Sequence, residues 1–261
     1  MDKIITIIRK EWAEVFKNKM VFFTVIFLPL LFAALPLIIM FTTGGGGGDF
    51  AGDMPQQISA MCTSEMSGSE CFQVYIVSQF LILFMLVPLI IPVNIAAYSI
   101  VGEKTTRSLE PLLATPITTT ELLIGKNLAA VIPAVLATLG SFVIFAVGAG
   151  FLSNSAEVTS ALLDPMWLLA VLLVGPLLAV LSVNFAIMVS SRVNDPRVAE
   201  QLSVVVIVPV MALFFGQVSG LLILNNQIVL ILALVLLVID MIMIQFAVRL
   251  FQREAILTRW K

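Results

Sequence analysis

The sequence predicts an all-α polytopic membrane protein with six transmembrane helices, from its composition, its long apolar runs and the placement of its basic residues. Hydrophobic residues make up 60% of the chain and charged residues 11%, whereas soluble domains carry about 25% charged residues. Several apolar runs exceed the roughly 18 residues that mark a membrane span. Such a chain needs lipid as its solvent, and we predict one transmembrane domain over residues 1–261.

Charge-free runs define four of the predicted spans, and a longer apolar stretch must contain two more. Residues 202–248 would form a helix about 70 Å long at ~1.5 Å per residue, more than twice the roughly 30 Å hydrocarbon core. Asn225 and Asn226 supply a polar turn inside this stretch. The predicted spans are 21–42, 74–101, 127–152, 166–190, 202–224 and 227–248.

The basic residues predict the topology, because Lys and Arg near span ends stay on the cytoplasmic side. All 14 of them lie in the N-terminal segment, in two alternate connections between spans, or in the C-terminal tail. The remaining connections have no basic residue, and the only charged residues in them are acidic, such as Asp49, Glu65 and Asp164. We therefore expect a multi-pass protein of the cell membrane with both termini in the cytoplasm and residues 43–73 outside.

The N-terminal residues 1–20 predict an amphipathic helix that lies in the plane of the membrane surface. Apolar residues recur at spacings of three and four, and polar residues fall on the other side, as in helices of the headgroup region. Anchoring to membrane lipids is one role for this helix, and a partner-binding surface is the other. The apolar face comprises Ile4, Ile5, Ile8, Trp12, Val15 and Phe16, and the polar face Lys3, Thr6, Arg9, Lys10 and Lys17.

The first outer loop contains a glycine run and both cysteines. Gly44–Gly48 lack the Lys-Ser/Thr pair of a phosphate-binding loop, so a flexible linker is the better interpretation. Cys62 and Cys71 lie on the side of the membrane where disulfides persist, and we predict a bridge between them. Its role would be to order the loop.

Residue types that the chain lacks exclude several classes of function. The sequence has no histidine, which removes Ser–His–Asp and Cys–His catalytic sites and His-ligated zinc sites. It also has no GxxxxGK[ST] nucleotide-binding motif. Its net charge of −2 gives no overall basic excess for a nucleic-acid partner. We expect a non-enzymatic protein that binds no metal or cofactor itself.

Residues 102–121 form a charged insert between the second and third spans. Glu103 and Arg107 are four residues apart and can pair on one helical face, while Pro111 and Pro116 limit the length of any helix. Glu121 after three threonines predicts a capped helix start. The insert is either a short helix held below the membrane or a tight connector.

The string Glu-Lys-x-x-x-Ser-Leu-Glu-Pro-Leu-Leu-Ala-Thr-Pro at 103–116, followed by Glu121-Leu122-Leu123 and Gly125-Lys126, resembles the ABC-2 permease family, which includes sodium-efflux and multidrug-type members. The resemblance extends to the arrangement of the whole chain. It implies that the insert is a coupling helix that docks on a separate ATPase subunit. The implied contacts are Glu103, Arg107, Leu109, Glu110, Leu112 and Leu113.

The same resemblance implies an assembly of two membrane subunits, most simply a homodimer, with two ATPase subunits that bind ATP and Mg²⁺. Such an assembly would move a substrate out of the cytoplasm. The alternative is a membrane assembly or anchoring component that recruits a cytosolic ATPase without forming a pathway. The sequence does not identify the substrate.

Asp240 lies near the middle of the sixth predicted span. An unpaired charge there costs about 2.5–3.5 kcal/mol on insertion scales, so the side chain should face protein or water. Asp240 is therefore our candidate intramembrane site. It belongs either to a transport pathway or to the packing between helices.

Overall fold

The part of the chain that the computed structural model describes consists of helices joined by short connections and contains no strand. Six helices in it are long and apolar enough to cross a membrane, which confirms the predicted all-α class with six spans. The residues described are 2–44, 68–106, 108, 117–153, 156–222 and 224–250. Spans 1 to 6 are Lys19–Thr42, Glu70–Thr105, Thr119–Leu152, Val158–Ser190, Pro196–Val218 and Asn226–Leu250, and a separate N-terminal helix, Asp2–Val15, precedes them.

Three of the spans are built from more than one helical segment. A proline occupies the first turn of each restarting helix: Pro88, Pro176 and Pro209. Proline has no amide hydrogen, so regular helical bonding is interrupted where it occurs. The segments are Gly68–Phe84 and Val87–Thr105 in span 2; Ala156–Leu162, Pro165–Leu169, a π turn at Ala170–Val174 and Gly175–Ser190 in span 4; and Pro196–Ser203, a 3₁₀ turn at Val204–Ile207 and Val208–Val218 in span 5.

Span 2 lies at the centre of the bundle and packs against spans 1, 3 and 4, while span 6 packs against span 4. In its most apolar stretch 61% of span 2 is buried, compared with 17% of spans 1 and 5. Phe84 of span 2 stacks on Phe145 of span 3 with their ring centroids 5.3 Å apart. Spans 1 and 5 therefore present most of their surface to lipid or to another chain.

Side-chain caps mark the starts of spans 3 and 6. The hydroxyl of Thr118 accepts a hydrogen bond from the amide of Glu121, whose carboxylate accepts one from the amide of Thr118, which confirms the predicted capped start. At span 6, Asn225 Oδ1 accepts a bond from the amide of Ile228 at 2.8 Å. Span 3 thus begins at Thr119 instead of residue 127, and Lys126 lies two turns inside the helix.

Candidate coupling site where the N-terminal helix meets spans 2 and 3

The N-terminal helix packs against the first turns of span 3 and the end of span 2. Its buried face consists of Ile7, Glu11 and Val15, whereas Ile5, which the sequence placed on the apolar face, is 44% exposed. Trp12 Nε1 donates a hydrogen bond to the carbonyl of Ala129 at 2.8 Å. The helix therefore buries one side against protein, and its placement in the lipid headgroup region stays a prediction.

A glycine on span 3 permits this close approach. A Cβ atom built on Gly125 would lie 2.7 Å from Cγ2 and 2.9 Å from Cβ of Ile7. Contacts this short are repulsive, and the Cβ of Ile7 is fixed by its backbone. Any larger residue at 125 must push the N-terminal helix away from span 3.

We expect Gly125→Ala to lower the thermal unfolding temperature of the protein in detergent, because overpacking a tight contact costs about 1–3 kcal/mol. The matched control is Gly102→Ala, where a Cβ would meet nothing within 4 Å. That control should be neutral or slightly stabilising. Equal melting curves for the two variants would contradict the close contact with Ile7.

Five side chains from three helices form a buried charge cluster, defined as Lys10, Glu11, Ser99, Glu103 and Lys126. The Nζ atom of Lys126 lies 2.8 Å from Oε1 of Glu11 and 2.7 Å from Oε2 of Glu103. It also donates a hydrogen bond to the Ser99 hydroxyl at 2.7 Å, and that hydroxyl donates to Oε2 of Glu11 at 2.5 Å. Lys10 contacts Oε1 of Glu103. Lys126 thus joins the N-terminal helix, span 2 and span 3.

Burial makes the members of the charge cluster depend on one another. The side chains of Lys126, Glu11 and Glu103 are each at most 4% exposed. Charges taken out of water lose several kcal/mol of hydration, which only close partners compensate. Removing one partner would leave a buried charge unpaired, so the three helices are expected to move together as one unit.

The charge cluster shifts two pKa values in the N-terminal helix. Burial alone would lower the pKa of Lys10, but its bond to Glu103 and the neighbouring carboxylates outweigh burial and raise it. For Glu11, burial acts to raise the pKa, but the charge and hydrogen bond of Lys126 and the Ser99 hydroxyl bring it below 4.5. Both groups are therefore held in their charged forms in the folded protein.

We expect the charge cluster to lose stabilising free energy at acid pH. The folded-state pKa of Glu11 lies below its unfolded value of 4.5, so its contribution is complete above about that pH and disappears as the pH falls through the folded pKa. The measurement is the unfolding temperature between pH 7 and pH 3 for the wild type and for Glu11→Gln. The difference between the unfolding temperatures of the wild type and Glu11→Gln should narrow as the pH falls. A difference that stays constant would contradict a stabilising contribution from the charged form of Glu11.

The start of the insert is tied to the connection between spans 4 and 5. Lys104 Nζ donates hydrogen bonds to the carbonyl oxygens of Ser191 at 3.2 Å and Val193 at 3.3 Å, both in the connection between spans 4 and 5. The amide of Ser108 donates to the carbonyl of Glu103 at 3.0 Å. Residues 103–106 and Ser108 are thus held by the charge cluster on one side and by the connection from span 4 to span 5 on the other.

The family model for ABC-2 family transporter proteins matches residues 5–240. The chain belongs to this ABC-2 transporter family. Its six apolar helices and its family make it a multi-pass membrane subunit of an ABC transporter. No curated protein matches the sequence.

The structure of this ABC-2 subunit separates the predicted site residues. Glu103 is 4% exposed and belongs to the charge cluster, so it faces inward. Asp240 is buried in span 6 and Cys71 near the start of span 2, both outside the cluster. The others lie outside the described residues, and their roles stay predictions: Arg107, Leu109, Glu110, Leu112, Leu113, Cys62 and Gly45–Gly48.

Sequence reasoning missed four members of the charge cluster: Lys10, Glu11, Ser99 and Lys126. Glu11 lies four residues from both Ile7 and Val15, so a polar residue interrupting that helical face was a usable signal. The cap at Thr118 was a second signal, because it places Lys126 inside span 3. No comparable signal identified Ser99 as a partner of Glu11.

Proposed function

We propose that this ABC-2 subunit is the membrane-spanning half of an exporter, moving a substrate out of the cytoplasm with energy from a separate ATPase subunit. Family membership supplies the coarse function. The observation that supports the finer proposal is the buried charge cluster, which ties the start of the insert at Glu103 to the N-terminal helix and to span 3. An insert attached in this way can pass a movement to the spans.

The proposed sequence of events starts at the cytoplasmic face. ATP and Mg²⁺ bind in the partner subunits and draw them together, and residues 109–116 follow the ATPase surface. Glu103 and Lys104 then transmit the displacement to span 3 and to the connection between spans 4 and 5, because their contacts join these elements. Glu103 acts here as a positioning residue inside the subunit.

A homodimer is the assembly we propose, with both termini of each chain in the cytoplasm of a cell bounded by this membrane. Spans 1 and 5 are the least buried, and they expose large aromatic side chains such as Phe23, Phe41 and Phe215. A second copy related by twofold symmetry would cover part of this apolar surface. The remaining surface faces membrane lipids.

Reconstitution tests the exporter against the anchoring alternative. The subunit and the ATPase encoded beside it would be inserted into liposomes with the ATPase outside, and ATP-dependent uptake of ²²Na⁺, a lipophilic cation and a fluorescent phospholipid measured. An exporter should accumulate at least one of these solutes only with hydrolysable ATP. An anchoring component would bind the ATPase but accumulate none of them under any nucleotide condition.

A further inference from the structure

Span 5 begins with a short helical segment, Pro196–Ser203, that packs against the second half of span 2. Ala199 and Ser203 of this segment are completely buried. Ala199 belongs to one apolar cluster with Ala97 and Val101 of span 2. The first two turns of span 5 are therefore part of the packed core around span 2, although most of span 5 is not.

Polar contacts attach the same segment to span 2 and to the start of the insert. A side-chain hydrogen bond joins Glu200 to Asn94 of span 2, which is only 2% exposed. Just before the segment, the carbonyl oxygens of Ser191 and Val193 accept the hydrogen bonds of Lys104, in the last turn of span 2. A displacement of the end of span 2 therefore acts directly on the first segment of span 5.

The helix of span 5 changes its geometry directly after this segment. Val204–Ile207 form a 3₁₀ turn, and Pro209 lies in the first turn of the helix Val208–Val218 that follows. Proline has no amide hydrogen to bond the preceding turn, and 3₁₀ geometry inside a longer helix often marks a hinge. The two parts of span 5 are thus joined by a weaker backbone connection than a continuous α-helix would provide.

The packing around this 3₁₀ turn leaves it room to bend. Spans 2 and 4 are also interrupted, but 61% and 50% of their most apolar stretches are buried, compared with 17% for span 5. Val204 and Val205 are 48% and 60% exposed. Within Val208–Val218, only Val210 and Gln217 are buried. Segments with few buried contacts open and shift at low cost in free energy, so little in the subunit fixes the angle of span 5 at the turn.

We propose that Val204–Ile207 is a hinge, and that Pro196–Ser203 moves with the end of span 2 while Val208–Val218 changes its angle to it. Lys104 and Glu200 are positioning residues in this arrangement, because they tie the first segment to span 2. When the insert moves, span 5 bends at the hinge instead of shifting as a rigid rod. Such bending changes one half of the bundle while the other half keeps its packing.

The inference deepens the proposed function, because it names a span that responds to the insert. The hinge itself is measured on the purified subunit, without ATPase or nucleotide. A rigid span 5 would refute the hinge and leave the exporter proposal standing. Absent ATP-driven uptake would refute the exporter proposal and leave the hinge measurable.

The test measures the distance between spin labels on either side of the turn, by pulsed electron paramagnetic resonance on the full chain in nanodiscs. The labels are attached to p-acetylphenylalanine at Val198 and Phe215, so the native cysteines are not used. The matched control is Leu230 with Phe246 in span 6, whose helix contains no proline. All four side chains are at least 41% exposed.

The distances between labels at Val198 and Phe215 should be more broadly distributed than those of the control pair in span 6. Pro209→Ala should narrow the distribution to the width of the control, because alanine restores the amide hydrogen and favours a continuous helix. The unfolding temperature checks that each labelled protein is folded. Equal widths for the two wild-type pairs would overturn the hinge.

A second measurement tests the link to the insert in the complex with the ATPase encoded beside the subunit. Adding a non-hydrolysable ATP analogue should change the mean distance between Val198 and Phe215 but not that of the control pair. Lys104→Met should abolish this change while the ATPase stays bound, whereas Lys3→Met should retain it. A distance that stays constant in the ATPase-bound complex, or a change that Lys104→Met leaves intact, would refute the proposed movement of the first segment with span 2.

Discussion

Replacing Lys126 by methionine is expected to destabilise the protein by about 3–5 kcal/mol, because one partner of a buried ion pair is removed while the other charges stay buried. The Nζ atom of Lys126 is within 2.8 Å of oxygens from Glu11 and Glu103. Methionine retains most of the volume of the lysine side chain, so the loss of stability would come from the missing charge more than from altered packing. The measurement is the folded yield and the unfolding temperature in detergent.

Two further variants test this explanation. Lys3→Met removes a solvent-exposed ion pair with Glu121, where the side chains are 50% and 32% exposed, and it should change the unfolding temperature little. Adding Glu11→Gln to Lys126→Met removes one of the two buried carboxylates that lose Lys126 as a partner and should recover part of the stability. A Lys126→Met protein as stable as Lys3→Met would show that the charge cluster does not hold the helices together.

Leu112→Asp is expected to weaken binding of the ATPase subunit about tenfold or more. Leu112 belongs to the segment that the family resemblance assigns to docking, and apolar anchors at the centre of an interface commonly contribute about 2 kcal/mol or more. An aspartate there would also bury a charge. The measurement is the affinity of the neighbouring-gene ATPase for the subunit in nanodiscs, together with the folded yield.

The matched control for docking is Leu163→Asp. Leu163 is 57% exposed in the turn between the helical segments Ala156–Leu162 and Pro165–Leu169 of span 4. The topology predicts that this end of span 4 lies outside, where a cytosolic ATPase cannot reach it. This variant should bind the ATPase like the wild type. If Leu112→Asp also bound the ATPase normally, the docking surface would have to lie elsewhere on the cytoplasmic face.

Short-range features of the sequence were sufficient to predict the architecture. Long apolar runs predicted six spans, and Thr118 with Glu121 predicted a capped helix start, because hydration and backbone bonding act over short stretches. The helix that contains span 3 nevertheless begins at Thr119, before the predicted start of the span at residue 127. Lys126 was treated as the end of a loop, whereas its charge is neutralised by Glu11 and Glu103 inside the bundle.

The charge cluster itself depends on contacts between distant parts of the chain. Glu11 and Lys126 are 115 residues apart, and Ser99 and Glu11 are 88 apart. Helical periodicity predicts on which face of its own helix a residue lies. It does not predict which faces of different helices pack against each other. The N-terminal helix shows this, because its pattern suggested a lipid-facing side while Glu11 lies against spans 2 and 3.

The most direct test of the exporter mechanism is the side of the membrane on which Ser108 lies. A cysteine placed at Ser108 would be treated in intact cells with a membrane-impermeant maleimide, with Leu163→Cys as the outside reference and the wild type as the background from Cys62 and Cys71. The topology predicts labelling of Ser108→Cys only after the cells are permeabilised. Labelling in intact cells at the level of Leu163→Cys would place the coupling segment outside, where no cytosolic ATPase could reach it.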